Sequence, residues 1–125
     1  MQFFALSAAF ILAALSTPGS ADSLDDWSHS CQSYSLSGTV LKASCRDDGG
    51  HYHNTQINLD QCITNDNGVL ECAWNGGNYA QTCDKCGLDG TSLDCQCKDD
   101  NQDYYSTSID LNNCITNNNA VLTCP

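Results

Sequence analysis

Cysteine is the residue most able to do chemistry in this chain. There are ten. Cys83-x-x-Cys86 and Cys95-x-Cys97 place four thiols at spacings a tetrahedral zinc site would accept, and the same thiols suit disulfides. His51-Tyr-His53 puts two imidazoles on one side of an extended segment near Asp47 and Asp48, a polar loop or the start of a metal site. Asp99-Asp-Asn-Gln-Asp103 is acidic enough to attract calcium but lacks the ligand order of a calcium-binding helix–loop–helix. No motif supports a Ser/His/Asp or Cys/His catalytic set, so no catalytic residue, metal or cofactor is assigned. Neutral amides recur at turn positions: Asn65 and Asn67 on either side of Asp66, then Asn117, Asn118 and Asn119. Fixed amides offer donors and acceptors together, which suits sugar hydroxyls, although asparagine also favours turns for its own sake.

The elements that must carry these residues come in two copies. Thr55–Cys72 returns as Thr107–Cys124 at an offset of 52 residues, without a gap and with 11 of 18 positions identical. The same offset relates Cys31 to Cys83, Cys45 to Cys97, Gly38-Thr39 to Gly90-Thr91 and Leu41 to Leu93. A fixed period of this kind marks an internal duplication. Ahead of it, Met1–Leu15 is apolar and is followed by small residues. This reads as a signal peptide, residues 1–21, cut after Ala21. The remaining 22–125 suits one small domain, with repeat 1 about 27–76 and repeat 2 about 77–125. A net charge of −11 argues against nucleic acid and anionic membrane surfaces as partners, and the apolar run is short for a membrane span. No Asn-x-Ser/Thr sequon occurs.

Behind a signal peptide, ten cysteines imply an oxidising compartment and disulfides. Cys31–Cys45 reads as a hairpin with a weak turn at Ser37-Gly38-Thr39, and Asp89-Gly90 is the stronger turn of its copy. Residues 46–52 form a loop, and Thr55–Leu59 alternates as a half-buried strand. A three-residue loop at Asp66-Asn67-Gly68 sets Cys62 opposite Cys72, which predicts Cys62–Cys72 and, by repetition, Cys114–Cys124. In the second copy Ala120 replaces Gly68, where a left-handed residue is costly. The first hairpins predict Cys31–Cys45 and Cys83–Cys97, and Cys86–Cys95 completes the set. Each such short loop contributes about 2–3 kcal/mol. Ala73–Gln81 is a Gly/Asn-rich linker, and exchange of halves across it would give a domain-swapped dimer in place of a monomer. Trp27, alone in a polar lead-in, is expected to pack onto the body.

The ordered motifs Cys31…Leu36-Ser-Gly-Thr-Val-Leu-Lys-Ala-Ser-Cys45 and Thr55-x-Ile-Asn-Leu-Asp…Ile63-x-Asn-x-x-Gly-x-Leu70, each present twice, resemble the cyanovirin-N homologue (CVNH) family over 27–125. The resemblance implies an all-β fold of two pseudo-symmetric tandem repeats, each a three-stranded sheet plus a β-hairpin. The two are intertwined, so that each half takes the hairpin of the other repeat. It also implies a lectin without catalysis that recognises α1,2-linked mannose in high-mannose glycans. Cys31–Cys45 and Cys83–Cys97 match the family, and the remaining bridges resemble additions seen in some fungal members.

The family's two sugar sites map onto opposite ends. The favoured one takes Asn65, Asn67, Asn78, Gln81, Thr82, Asp99 and Gln102, flanked by Thr64 and Asp100. Asn67 and Gln81 are amides where the family's namesake has acids, and Asp100 stands where it has an arginine. The second takes Ser30, Asp48, Asn117 and Asn119, with Asp26, His29 and Arg46 beside them. Arg46 falls at an acidic position and Asp26 at a lysine. A fold relative that binds a basic protein partner rather than sugar is the rival reading, because fold does not fix function.

Overall fold

The computed structural model describes residues 26–73 and 77–124. The expected signal peptide, its cleavage point and the linker's centre at 74–76 lie outside the described residues.

Each repeat begins with a short 3-10 turn whose first residue is a buried aromatic. Trp27–His29 buries Trp27, and Tyr79–Gln81 buries Tyr79. Trp27 thus packs into the core, edge-on to Tyr34 with ring centroids 4.7 Å apart. Three antiparallel strands follow: β1 (Cys31–Ser37), β2 (Val40–Arg46) and β3 (Tyr52–Asn58), in that order across the sheet. In β2 the two-residue period buries Leu41, Ala43 and Cys45 and leaves Lys42 and Arg46 exposed. The β1–β2 turn is Gly38-Thr39, with Ser37 paired to Val40 and Gly38 at φ 61°. A second 3-10 turn, Leu59–Gln61, is capped by the Asn58 side chain, which accepts from the Asp60 N–H at 3.0 Å. The hairpin of β4 (Ile63–Asp66) and β5 (Val69–Cys72) completes repeat 1.

Repeat 2 runs through the same sequence of elements. The strands β6 (Cys83–Asp89), β7 (Ser92–Lys98) and β8 (Tyr104–Asp110) form its sheet. The turn Leu111–Asn113 and the hairpin of β9 (Thr116–Asn118) and β10 (Val121–Thr123) follow. The turn expected at Asp89-Gly90 sits one residue later, at Gly90-Thr91, because Asp89 pairs with Ser92.

The hairpins cross over. β5 lies beside β8, where the Leu70 N–H donates to Thr107 Oγ1 at 3.1 Å, and β10 lies beside β3, where the Leu122 N–H donates to Thr55 Oγ1 at 3.3 Å. The core holds matched pairs from both copies: Leu41 and Leu93, Leu59 and Leu111, Ile63 and Ile115, Leu70 and Leu122. Gly77 must be glycine. A Cβ there would stand 1.8 Å from the Ile63 carbonyl oxygen, so the linker can cross β4 only without a side chain.

Two disulfide expectations are corrected. Cys31–Cys45, Cys83–Cys97 and Cys86–Cys95 are bonded, but the hairpin cysteines pair as Cys62–Cys124 and Cys72–Cys114 rather than as Cys62–Cys72 and Cys114–Cys124. The cause is the turn. Asp66 pairs with Val69, so the loop is the dipeptide Asn67-Gly68, with φ 54° and 91°, a type I′ geometry suited to the strand twist. The shorter loop slides the register by one residue and sets Ile63, not Cys62, opposite Cys72. The hairpin sulfurs then meet across the repeats. The second tip takes the same turn with Asn119 at φ 52° and Ala120 at φ 74°, so that alanine is held in the left-handed region. The closed loops span 62 and 42 residues, which raises the expected contribution to about 4 kcal/mol each. All ten sulfurs are engaged, including those at zinc-like spacing.

Candidate functional site

One set of contacts is built at both hairpin tips. At the first, the Asn65 Nδ2 donates to Thr82 Oγ1 at 2.9 Å and to the Lys98 carbonyl at 2.8 Å, while Asn65 Oδ1 accepts from the Gly68 N–H at 2.8 Å. At the second, the Asn117 Nδ2 donates to Ser30 Oγ at 2.8 Å and to the Arg46 carbonyl at 2.9 Å, while Asn117 Oδ1 accepts from the Ala120 N–H at 2.8 Å. The next amide reaches the facing loop: Asn67 Oδ1 accepts from the Asp100 N–H and Asn119 Oδ1 from the Asp48 N–H, both at 2.8 Å. Every partner belongs to the other repeat or to the tip itself.

The facing loops are organised by aspartates. Asp99 Oδ1 accepts from the N–H groups of Asn101 at 2.9 Å and Asp103 at 3.0 Å, and the Gln102 N–H donates to the Asp99 carbonyl, which places Gln102 at φ 70°. Asp47 Oδ1 likewise accepts from Gly49 and His51, both at 2.9 Å, and its Oδ2 lies 2.8 Å from His53 Nε2. The hydrogen bond from the His51 N–H, followed by that from His53, holds the Asp47 carboxyl below its ordinary value.

These contacts change the roles expected from the sequence. Asn65 and Asn117 each use both amide protons and one carbonyl lone pair internally, so they position the tips and retain only one acceptor site. Ser30 and Thr82 serve as their acceptors. Asn67 and Asn119 keep their Nδ2 groups free of partners among the described residues. Around the second tip, Ser30, Arg46, Asp47, Asp48, Gly50, Asn117 and Asn119 line an open cleft of about 320 Å³. Asp26 and His29 are not part of its lining; Asp26 instead bridges Ile115 and accepts the His29 N–H. Around the first tip, Asn78 bridges Thr64 at φ 56° and donates its N–H to the Asp60 carbonyl at 2.7 Å, while Gln81 donates its N–H to the Asn78 carbonyl. Asn78, Gln81 and Thr82 therefore stand on the short turn flanking the tip, and Asp99, Asp100 and Gln102 stand on the loop facing it.

The sequence reading passed over Tyr105. It is half exposed beside the first tip, and the Asp99 carboxylate next to it raises its phenol above the usual value. Its counterpart in repeat 1 is His53, so the duplication gave no signal at this position.

With fold and tips in place, the comparisons agree. The CVNH domain profile matches residues 27–124, and the chain belongs to the CVNH family. A structure of the T. borchii CVNH protein is 30% identical, covers 80% of this chain and 99% of its own, and superposes with a TM-score of 0.68. Microvirin, solved as a complex with mannobiose, is also 30% identical over 80% of this chain and 98% of its own, with a TM-score of 0.66. A MoCVNH3 variant in complex with (N-GlcNAc)4 shares the fold at a TM-score of 0.73 and 19% identity, covering 80% of this chain and 97% of its own.

Proposed function

We propose that this chain is a secreted, non-catalytic lectin for mannose-type, α1,2-linked glycans, with the sugar seated at the hairpin tips. The observation that carries the reading is the duplicated frame. Two hairpin tips bearing donors and acceptors are fixed by the same internal hydrogen bonds, at 2.8–2.9 Å about Asn65 and Asn117. Vicinal sugar hydroxyls need donors and acceptors together in fixed places. A frame already held by its own contacts spends little ordering entropy on binding. The likeness to microvirin, solved with mannobiose, supports the same class of ligand. Five disulfides and an apolar leader support export to an oxidising compartment. Two working tips on one branched glycan would raise avidity by about 10²–10⁴.

The test is calorimetric titration of oxidised protein, residues 22–125, with α1,2-mannobiose, beside Gln102→Ala at the first tip and Asp48→Ala at the second. Saturable heat lost in one variant assigns the working tip. Absence of heat at millimolar sugar overturns the mannose reading. The net charge of −11 favours a second reading, a secreted protein-binding effector whose basic partner would dissociate as salt is raised, whereas sugar binding would stay nearly constant.

A further inference from the structure

The first tip has a second wall that the amide frame does not use. On the β8 side of the turn, Asn67, Val69, Asp99, Tyr105 and Ser106 border an open cleft of about 400 Å³. Val69 and Tyr105 are each 52% exposed, which puts two large apolar surfaces side by side on an otherwise polar rim. The ring is seated by the fold. Tyr105 sits in β8 opposite Cys97, and its Cδ2 comes so close to the turn that a Cβ on Gly68 would lie 3.2 Å away. Around the ring stand the Nδ2 of Asn67, which has no internal partner among the described residues, and the Asp99 carboxylate. A pyranose has an apolar C–H face and a rim of hydroxyls. An aromatic face with an amide and a carboxylate at its edge matches both parts. The second tip keeps the exposed valine, Val121, but not the ring: His53 stands in place of Tyr105, with its Nε2 at Asp47 Oδ2, and Ala120 carries a methyl where Gly68 has none.

We infer that this wall is an extension subsite, in which a further pyranose unit of a longer oligosaccharide stacks on Tyr105 and Val69 while its hydroxyls meet Asn67 and Asp99. The inference rests on the sugar-binding reading of the first tip, with which it shares Asn67 and Asp99. It makes that tip selective for chain length and leaves the second tip as a short site.

The experiment titrates wild type, Tyr105→Ala and Tyr105→Phe with α1,2-linked mannobiose and mannotetraose by calorimetry. The Tyr105 ring signals are followed by NMR in the wild type. The expected result is tetrasaccharide binding about 3–10-fold tighter than disaccharide binding in wild type and Tyr105→Phe, with the gain lost in Tyr105→Ala and the disaccharide affinity unchanged. Ring signals should move with the tetrasaccharide. Disaccharide binding with no gain on lengthening, or a gain that survives Tyr105→Ala, overturns the subsite and leaves the lectin reading standing. Ring shifts with the tetrasaccharide but no disaccharide binding keep the subsite and remove mannose from the amide frame. No ring shift with the tetrasaccharide overturns the subsite.

Discussion

The two hairpin tips share a frame and differ at the rim. Asn65 and Asn117 make the same three hydrogen bonds, and Asn67 and Asn119 the same fourth. Around them the copies diverge. The Lys98 ammonium lies 5.6 Å from the centre of the Tyr104 ring, which draws it onto the sheet, whereas Arg46 lines the second cleft. Gln102 of the first facing loop corresponds to Gly50 of the second, and the open turn Gly68 corresponds to the strained Ala120. The asparagines that hold the turns are the same in both copies, while several side chains around them differ. The shared frame positions both tips, and the departures from it distinguish them.

The comparison can be broken most severely at the bridges that join the halves. Replacing Cys72 and Cys114 together by serine should lower unfolding free energy by about 4 kcal/mol, and more than removing Cys86–Cys95, whose loop spans only 9 residues; denaturant melts of both variants check the order. Next in size, Asn65→Ala and Asn117→Ala should each cost about 1–3 kcal/mol, because each strands the carbonyl of residue 98 or 46 and the N–H of the turn. Equal losses in thermal melts would confirm one frame used twice. Unequal losses would mean that one tip is held by other contacts.

Much of this was legible in the sequence. The repeat offset and the short bridges across β1–β2 and β6–β7 follow from local pattern, and the three-stranded sheets from the family resemblance. The hairpin register did not, because a three-residue and a two-residue turn both fit Asp66-Asn67-Gly68 and differ by a single residue. That single residue turns Cys72 to the opposite face and sends its bond to Cys114. The role of Asn65 was also hidden. Its partners Thr82 and Lys98 are 17 and 33 residues away, and an exposed turn asparagine looks the same whether it awaits a ligand or is already occupied.

Smaller effects sharpen the contrast. Ala120→Gly should stabilise the protein by about 0.5–1 kcal/mol by relieving φ 74°. Gly68→Ala should destabilise it by about 1 kcal/mol or more, since its methyl would also press on Tyr105; melts of the pair should move in opposite directions. Smallest is the acid response of the second facing loop. The Asp47 carboxyl is held below its ordinary 3.8, so its contribution is complete above that pH and is lost as pH falls through the lowered value. The protection of the Gly49 and His51 amides against exchange, relative to the intrinsic rate at each pH, should fall there and stay constant in Asp47→Asn. At the other extreme Tyr79 is pushed up to about 12 by burial and then by Asp60; its neutral form contributes fully below 10, and that contribution is lost as pH rises through about 12.

The Cys62–Cys124 bond also decides how the molecule carries tension. Pulled between residues 26 and 124, the chain transmits force from Cys124 straight to Cys62, and residues 63–123 hang slack beside the loaded path. The Cys31–Cys45 bond shortens the path again, so only 26–31 and 45–62 can lengthen, to roughly 8 nm, against about 34 nm for the reduced chain. Asn65, Thr82, Lys98, Asp99 and Tyr105 all lie in the slack loop, while Ser30, Arg46 and Asp48 lie on or beside the strained segments. A taut tether would therefore distort the second tip first and leave the first tip with its shape intact.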